Sequence, residues 1–116
     1  MSEFARTRSA TVGPWTRPVA IPDGIDDPGL RKATGVVKLP SWVRWSGPPR
    51  SYDLRDRRDR ALVYEQVLTE GTEDDVRYFV ALADVVDLWD EMVLPDYVRA
   101  AWATWLEARR GIVMAC

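Results

Sequence analysis

Proline placement divides this chain before any other feature is read. Seven of its eight prolines, Pro14, Pro18, Pro22, Pro28, Pro40, Pro48 and Pro49, lie before residue 50, and only Pro95 follows. Each proline fixes φ, removes an amide donor and biases its predecessor toward extended backbone. Residues 1–50 therefore cannot hold a long helix, whereas the remainder can. Charge follows the same division. Residues 1–60 carry twelve Arg/Lys against seven Asp/Glu, a net of +5, and residues 61–116 carry four against eleven, a net of −7. A basic, proline-punctuated first half precedes an acidic second half.

Local signals refine both halves. Asp27-Pro28-Gly29 through Gly35 has a capping acid, a first-turn proline and a stop glycine, which predicts one or two helical turns. Val36-Val37-Lys38-Leu39 reads as extended, and Ser46-Gly47-Pro48-Pro49 as a turn. In the second half, Asp53 or Asp56 can cap a helix to about Glu70 with Ala61, Tyr64, Val67 and Leu68 at helical spacing. Thr72-Glu73-Asp74-Asp75 resembles a capping box and opens a short helix through Phe79. Asp84 starts a third helix to about Met92, with Val85, Leu88, Trp89 and Met92 on one face. Pro95 opens a fourth, striped by Val98, Trp102, Trp105 and Leu106 and stopped by Gly111.

The expected fold is mainly α: a small bundle of about four short helices over 56–116, behind an extended, basic, Pro-rich arm over 1–55. At most a short β-hairpin is expected, around Trp42–Leu54. A bundle of this size makes a marginal core. The tryptophans of the first half, Trp15, Trp42 and Trp45, can supplement it, since each large aromatic buries about 150–250 Å².

Composition removes whole classes of chemistry. Histidine is absent, which excludes Ser-His and Cys-His nucleophile pairs and histidine-ligated metals. One cysteine, Cys116, cannot form an intrachain disulfide or a cysteine zinc site. The glycines never cluster into a phosphate loop or dinucleotide fingerprint, and Ser41, Ser46 and Ser51 lack a nucleophile elbow. No cofactor and no catalytic residue is expected. Met1–Arg6 contains an early acid and no apolar run, and Tyr78–Ala83 is too short to span a bilayer, so a cytoplasmic protein without membrane contact is the expectation.

Two charged clusters remain. Asp84, Asp87 and Glu91 fall at i, i+3 and i+7, one helix face, where carboxylates could hold Mg²⁺ or meet a basic protein. The docking reading is preferred, because no second acidic motif or phosphate loop accompanies them. Arg55-Asp56-Arg57-Arg58-Asp59-Arg60 alternates its signs and cancels much of its own field. A nucleic-acid partner is not favoured at a pI near 5.1. A helix-turn-helix over 56–79 is the alternative reading, with the acids at 73–75 against it.

Four phrases, Val19–Leu30, Val43–Pro48, Val63–Thr72 and Leu88–Pro95, resemble a family of small proteins from GC-rich bacteria. Fourteen arginines against two lysines, and no asparagine, agree with such a source. The resemblance implies a gene beside a nucleotidyltransferase-fold toxin of the abortive-infection type, and hence an antitoxin-like role; it assigns no site residues. The residues themselves nominate a partner surface: Trp15, Arg17, Trp42, Arg44 and Trp45 as anchors, because Trp and Arg dominate interface hot spots, and Asp84, Asp87 and Glu91 as the acidic face.

Overall fold

The computed structural model describes residues 19–43 and 50–114. Two short strands, β1 (Val36–Lys38) and β2 (Ser51–Asp53), precede four helices: α1 (Arg57–Glu70), α2 (Glu73–Phe79), α3 (Leu82–Asp87) and α4 (Asp96–Arg110). The architecture is mainly α, with one two-stranded antiparallel sheet. The strands pair Val36 with Asp53, Val37 with Tyr52 and Lys38 with Ser51. The first strand thus lies upstream of Trp42, earlier than a hairpin confined to Trp42–Leu54 would place it.

Helix starts follow local chemistry. The Asp56 side chain accepts from Arg58 N–H and caps α1. At α2 the capping box is complete: Thr72 Oγ1 accepts from Asp75 N–H at 3.2 Å, and Asp75 Oδ2 accepts from Thr72 N–H at 2.9 Å. Gly71 ends α1 with ordinary extended backbone, so its need for glycine is steric. A Cβ there would lie 2.6 Å from the Val67 carbonyl oxygen. Gly111 ends α4 at φ 68°, where the left-handed region favours glycine. Arg109 and Arg110 in that last turn oppose the negative end of the helix dipole.

The third helix departs from its expected span. It occupies Leu82–Asp87 rather than 84–92, and Asp84 does not cap it. Instead the Tyr64 hydroxyl, from α1, accepts from Ala81 N–H at 2.9 Å and donates to Asp84 Oδ2 at 3.2 Å. A tyrosine from another helix thus does the work of a cap. At the far end, Arg57 Nη2 binds the Asp87 carbonyl at 3.0 Å, and Arg99 binds the carbonyls of Trp89 and Met92. Those arginines occupy oxygens that a continuing helix would turn toward its own amides, and the chain passes into turns at Leu88–Glu91.

The segment after Asp27 is also not helical. Asp27 Oδ1 accepts from Gly29 N–H at 2.8 Å, and successive tight turns close Asp27 N to Gly24 O and Leu30 N to Asp27 O. A side chain that serves its own neighbouring amide competes with helix propagation.

The core is shared by both halves. Tyr64, Val67, Leu68, Phe79, Leu88, Trp89, Val98, Trp102 and Leu106 are buried as their spacing requires, and Trp105 is partly buried. Ile25, Leu39, Val43, Tyr52 and Leu54 from the proline-rich half join the same cluster. Their burial answers the shortage that a short bundle would face alone. The α1 helix is buried on more than one face, Val63 included, because β2 covers one side and α2 another.

Candidate functional site

Of the nominated anchors, Trp15, Arg17, Arg44 and Trp45 lie outside the described residues. Trp42 lies within them and is 61% exposed. Its placement is set from both sides. Val43, its neighbour, is fully buried, and Val43 N–H closes a turn onto the Pro40 carbonyl at 3.0 Å. The Trp42 indole Nε1 then donates to Asp75 Oδ2 at 2.8 Å. Asp75 is buried and already caps α2, so one carboxylate both starts the helix and aims the indole. Tyr78 stands three residues along α2 from Asp75, on the same face, and is also exposed. An outward-facing tryptophan with its polar atom satisfied keeps its ring free for contact.

The acidic run is not a single free surface. Asp84 is spent on Tyr64. Asp87 and Glu91 are both gripped by the Arg57 guanidinium, Asp87 through Nη1 at 2.7 Å and Glu91 through Nε and Nη2. The hydrogen bonds from Arg57 hold both carboxyls below the usual carboxylate range. All three side groups are substantially exposed, so the cluster stays accessible while part of its charge is met from within the chain. Among the described residues, no group of three or more His, Cys, Asp or Glu is arranged to hold a metal ion.

Sequence reasoning missed one cleft. A cavity of about 600 Å³ opens between the Ile25–Leu30 turn, α3 and the chain after α4, with Leu82, Val86 and Ile112 on its walls. The Arg110–Asp26 ion pair stands at its rim. Lys32 also lines it, with Nζ donating to the carbonyls of Arg77 and Val80, each at 2.6 Å, and of Ile25 at 3.4 Å. Burial pushes this ammonium below the ordinary lysine range. All three of its protons meet carbonyls, two at the C-terminal end of α2, so Lys32 staples the first half of the chain to that helix end. No motif announces this; the signal is one of two lysines in a chain that otherwise uses arginine.

The α1–Gly71-Thr72–α2 unit has the outline of a helix-turn-helix, but its second helix is short and begins with Glu73, Asp74 and Asp75. Glu73 and Asp74 are exposed at the end that would approach phosphates, where they repel them. Among the described residues, no helix is long and apolar enough to cross a membrane. Against known proteins the chain finds no counterpart: no family model, no curated protein and no solved structure matches it.

Proposed function

We propose that this chain is a protein-binding module, an antitoxin-like partner that restrains a neighbouring nucleotidyltransferase-fold toxin by direct contact, without catalysing a reaction itself. The observation that supports the binding role is Trp42. A large aromatic side chain stands in solvent while its indole N–H is fixed by a buried carboxylate at 2.8 Å. Such an anchor loses little rotamer entropy when a partner covers it, and preorganised tryptophans are the commonest hot spots. Tyr78 extends the aromatic surface along α2. The toxin as partner is supported by the family resemblance of the four sequence phrases and by the absence of histidine and of nucleotide-loop motifs.

The test is co-expression of the adjacent gene with the full chain, its Trp42→Ala variant and its Trp42→Phe variant, followed by binding measurements on the purified proteins. Truncation to alanine is expected to weaken the complex by about 30-fold, the equivalent of about 2 kcal/mol. The phenylalanine variant keeps an apolar ring but loses the Asp75 bond, so it is expected to fall between the two. Full protection of cells by Trp42→Ala refutes the surface. Failure of the wild-type chain to bind or protect refutes the antitoxin reading.

A further inference from the structure

We infer that the outer edge of β1 is the docking edge for an acidic, extended segment of the partner, which joins the sheet as a third strand. The inference rests on the protein-binding reading above and states the chemistry that the partner brings.

The register of the sheet carries it. Val36, Val37 and Lys38 face Asp53, Tyr52 and Ser51, and Leu54 N–H donates to the Gly35 carbonyl at 2.8 Å. In an antiparallel pair, hydrogen-bonded and non-bonded positions alternate. Gly35 and Val37 therefore point their backbone groups at β2, whereas Val36 and Lys38 point theirs away from it. On β2 the matching outward group is occupied, because Asp53 N–H donates to Asp59 Oδ2 at 3.0 Å. On β1, no described residue takes the N–H or C=O of Val36 or Lys38. Val36 is 62% exposed and Lys38 is exposed beside it. Two donors and two acceptors thus repeat along the edge at about 6.7 Å, the two-residue rise of a strand. An extended chain matches that pattern, by the strand addition many recognition domains use.

Charge identifies the segment. From Pro28 to Tyr52 the sequence carries Arg31, Lys32, Lys38, Arg44 and Arg50 and no aspartate or glutamate. Arg31 and Lys38 form no ion pair among the described residues, and both are exposed. A strand bearing carboxylates complements this edge. A second copy of the chain complements it less well, because it brings the same basic edge and no carboxylate to it. Nucleic acid satisfies only half of the edge: phosphates accept from the two N–H groups but leave the two carbonyls facing negative charge. Trp42 follows β1 by four residues, after the turn that Val43 N–H closes onto the Pro40 carbonyl.

The experiment titrates the isotopically labelled full chain with a decapeptide alternating Glu and Val, a Lys–Val counterpart and a single-stranded oligothymidylate. The acidic peptide is expected to shift the Val36 and Lys38 amides and slow their exchange, with Val37 and Asp53 little changed. The Val36→Pro variant removes one outward donor and is expected to weaken the peptide about tenfold, with unchanged Val37 and Leu54 amides checking that the bonds to β2 persist. The Lys38→Glu variant, which leaves the backbone intact, is expected to do the same. Equal response to the Lys–Val peptide, a response only to the oligonucleotide, or no response at the Val36 and Lys38 amides overturns the inference. The adjacent gene product separates the two readings. If it binds wild type and Val36→Pro equally, the edge is wrong and the binding role stands. If the peptide docks on β1 but that protein does not bind, the edge stands and the toxin reading falls.

Discussion

Replacing Tyr64 by phenylalanine removes a single oxygen and tests how α3 is started. That oxygen accepts from Ala81 N–H at 2.9 Å and donates to Asp84 Oδ2 at 3.2 Å, and burial pushes the phenol well above its ordinary pKa. The ring itself is buried in the core and is kept by phenylalanine. Loss of the hydroxyl leaves the Ala81 amide without its partner at a half-buried helix start, at a cost of about 1 kcal/mol. The bond to the Asp84 carboxylate is charge-assisted, and its loss costs about another 1 kcal/mol, discounted because Asp84 can recruit water. The sum is about 2 kcal/mol. With a urea slope of about 1–2 kcal/mol/M, the midpoint falls by about 1–2 M at unchanged slope. The cause can be isolated by a double-mutant cycle with Asp84→Ala. That substitution leaves Tyr64 accepting from Ala81, so alone it costs less than Tyr64→Phe, and added to Tyr64→Phe it costs almost nothing. A Tyr64→Phe midpoint within about 0.3 M of wild type refutes the idea that this hydroxyl caps α3, and additive costs in the cycle refute its bond to Asp84.

Three further outcomes follow from the same geometry. Trp102 is fully buried and its Nε1 has no hydrogen-bond partner among the described residues, so Trp102→Phe is expected to cost far less in denaturant midpoint than Trp102→Ala, at about 3–5 kcal/mol. Gly71→Ala is expected to destabilise although Gly71 has a φ that any residue adopts, because the new Cβ meets the Val67 oxygen; an unchanged melting temperature would show that the α1 end relaxes freely. Arg57 lowers the carboxyl pKa values of Asp87 and Glu91 in the folded chain, so the stability they contribute is present above the unfolded carboxylate range and is lost as pH falls through their depressed values. Carbon-detected titration of both carboxyls is expected to move upward in Arg57→Gln, and identical titration in the two proteins would show that the clamp is not formed in solution.

What could be read in the chain, and what could not, depends on how far apart the interacting residues lie. Thr72 and Asp75 are three apart and write their capping box within one turn, so α2 is legible to the residue. The same holds for Asp56 at α1 and Gly111 at α4, where the signal and the backbone group it serves are neighbours. The bounds of α3 are set by Tyr64, Arg57 and Arg99, none of which is local to it, and periodicity alone runs the helix on to Met92. Composition nominates Trp42 as a partner anchor, and the structure leaves its ring exposed. Its means of support is not legible in the chain, because Asp75 lies 33 positions away.

The acidic run shows why this matters for function. A shared face for Asp84, Asp87 and Glu91 presupposes an unbroken helix, and α3 ends at Asp87. Glu91 returns beside Asp87 through the turn instead, and both are gathered by Arg57, 30 and 34 positions upstream. The ion pair of Arg110 with Asp26 runs in the opposite sense, from a cation of the acidic half to an anion of the basic half. The two halves of the chain are therefore joined by ion pairs of both senses, and among the described residues the Arg57 clamp is the one that offsets the asymmetry of the sequence. The charge that folding leaves uncompensated is the more informative quantity. Part of it is Arg31 and Lys38, which are exposed and form no ion pair among the described residues; Lys38 lies on a strand edge whose outward backbone groups meet no described residue. Basic charge, an open strand edge and an anchored aromatic fall within one stretch of chain, and the proposed docking of an acidic strand would draw on each by a different physical route.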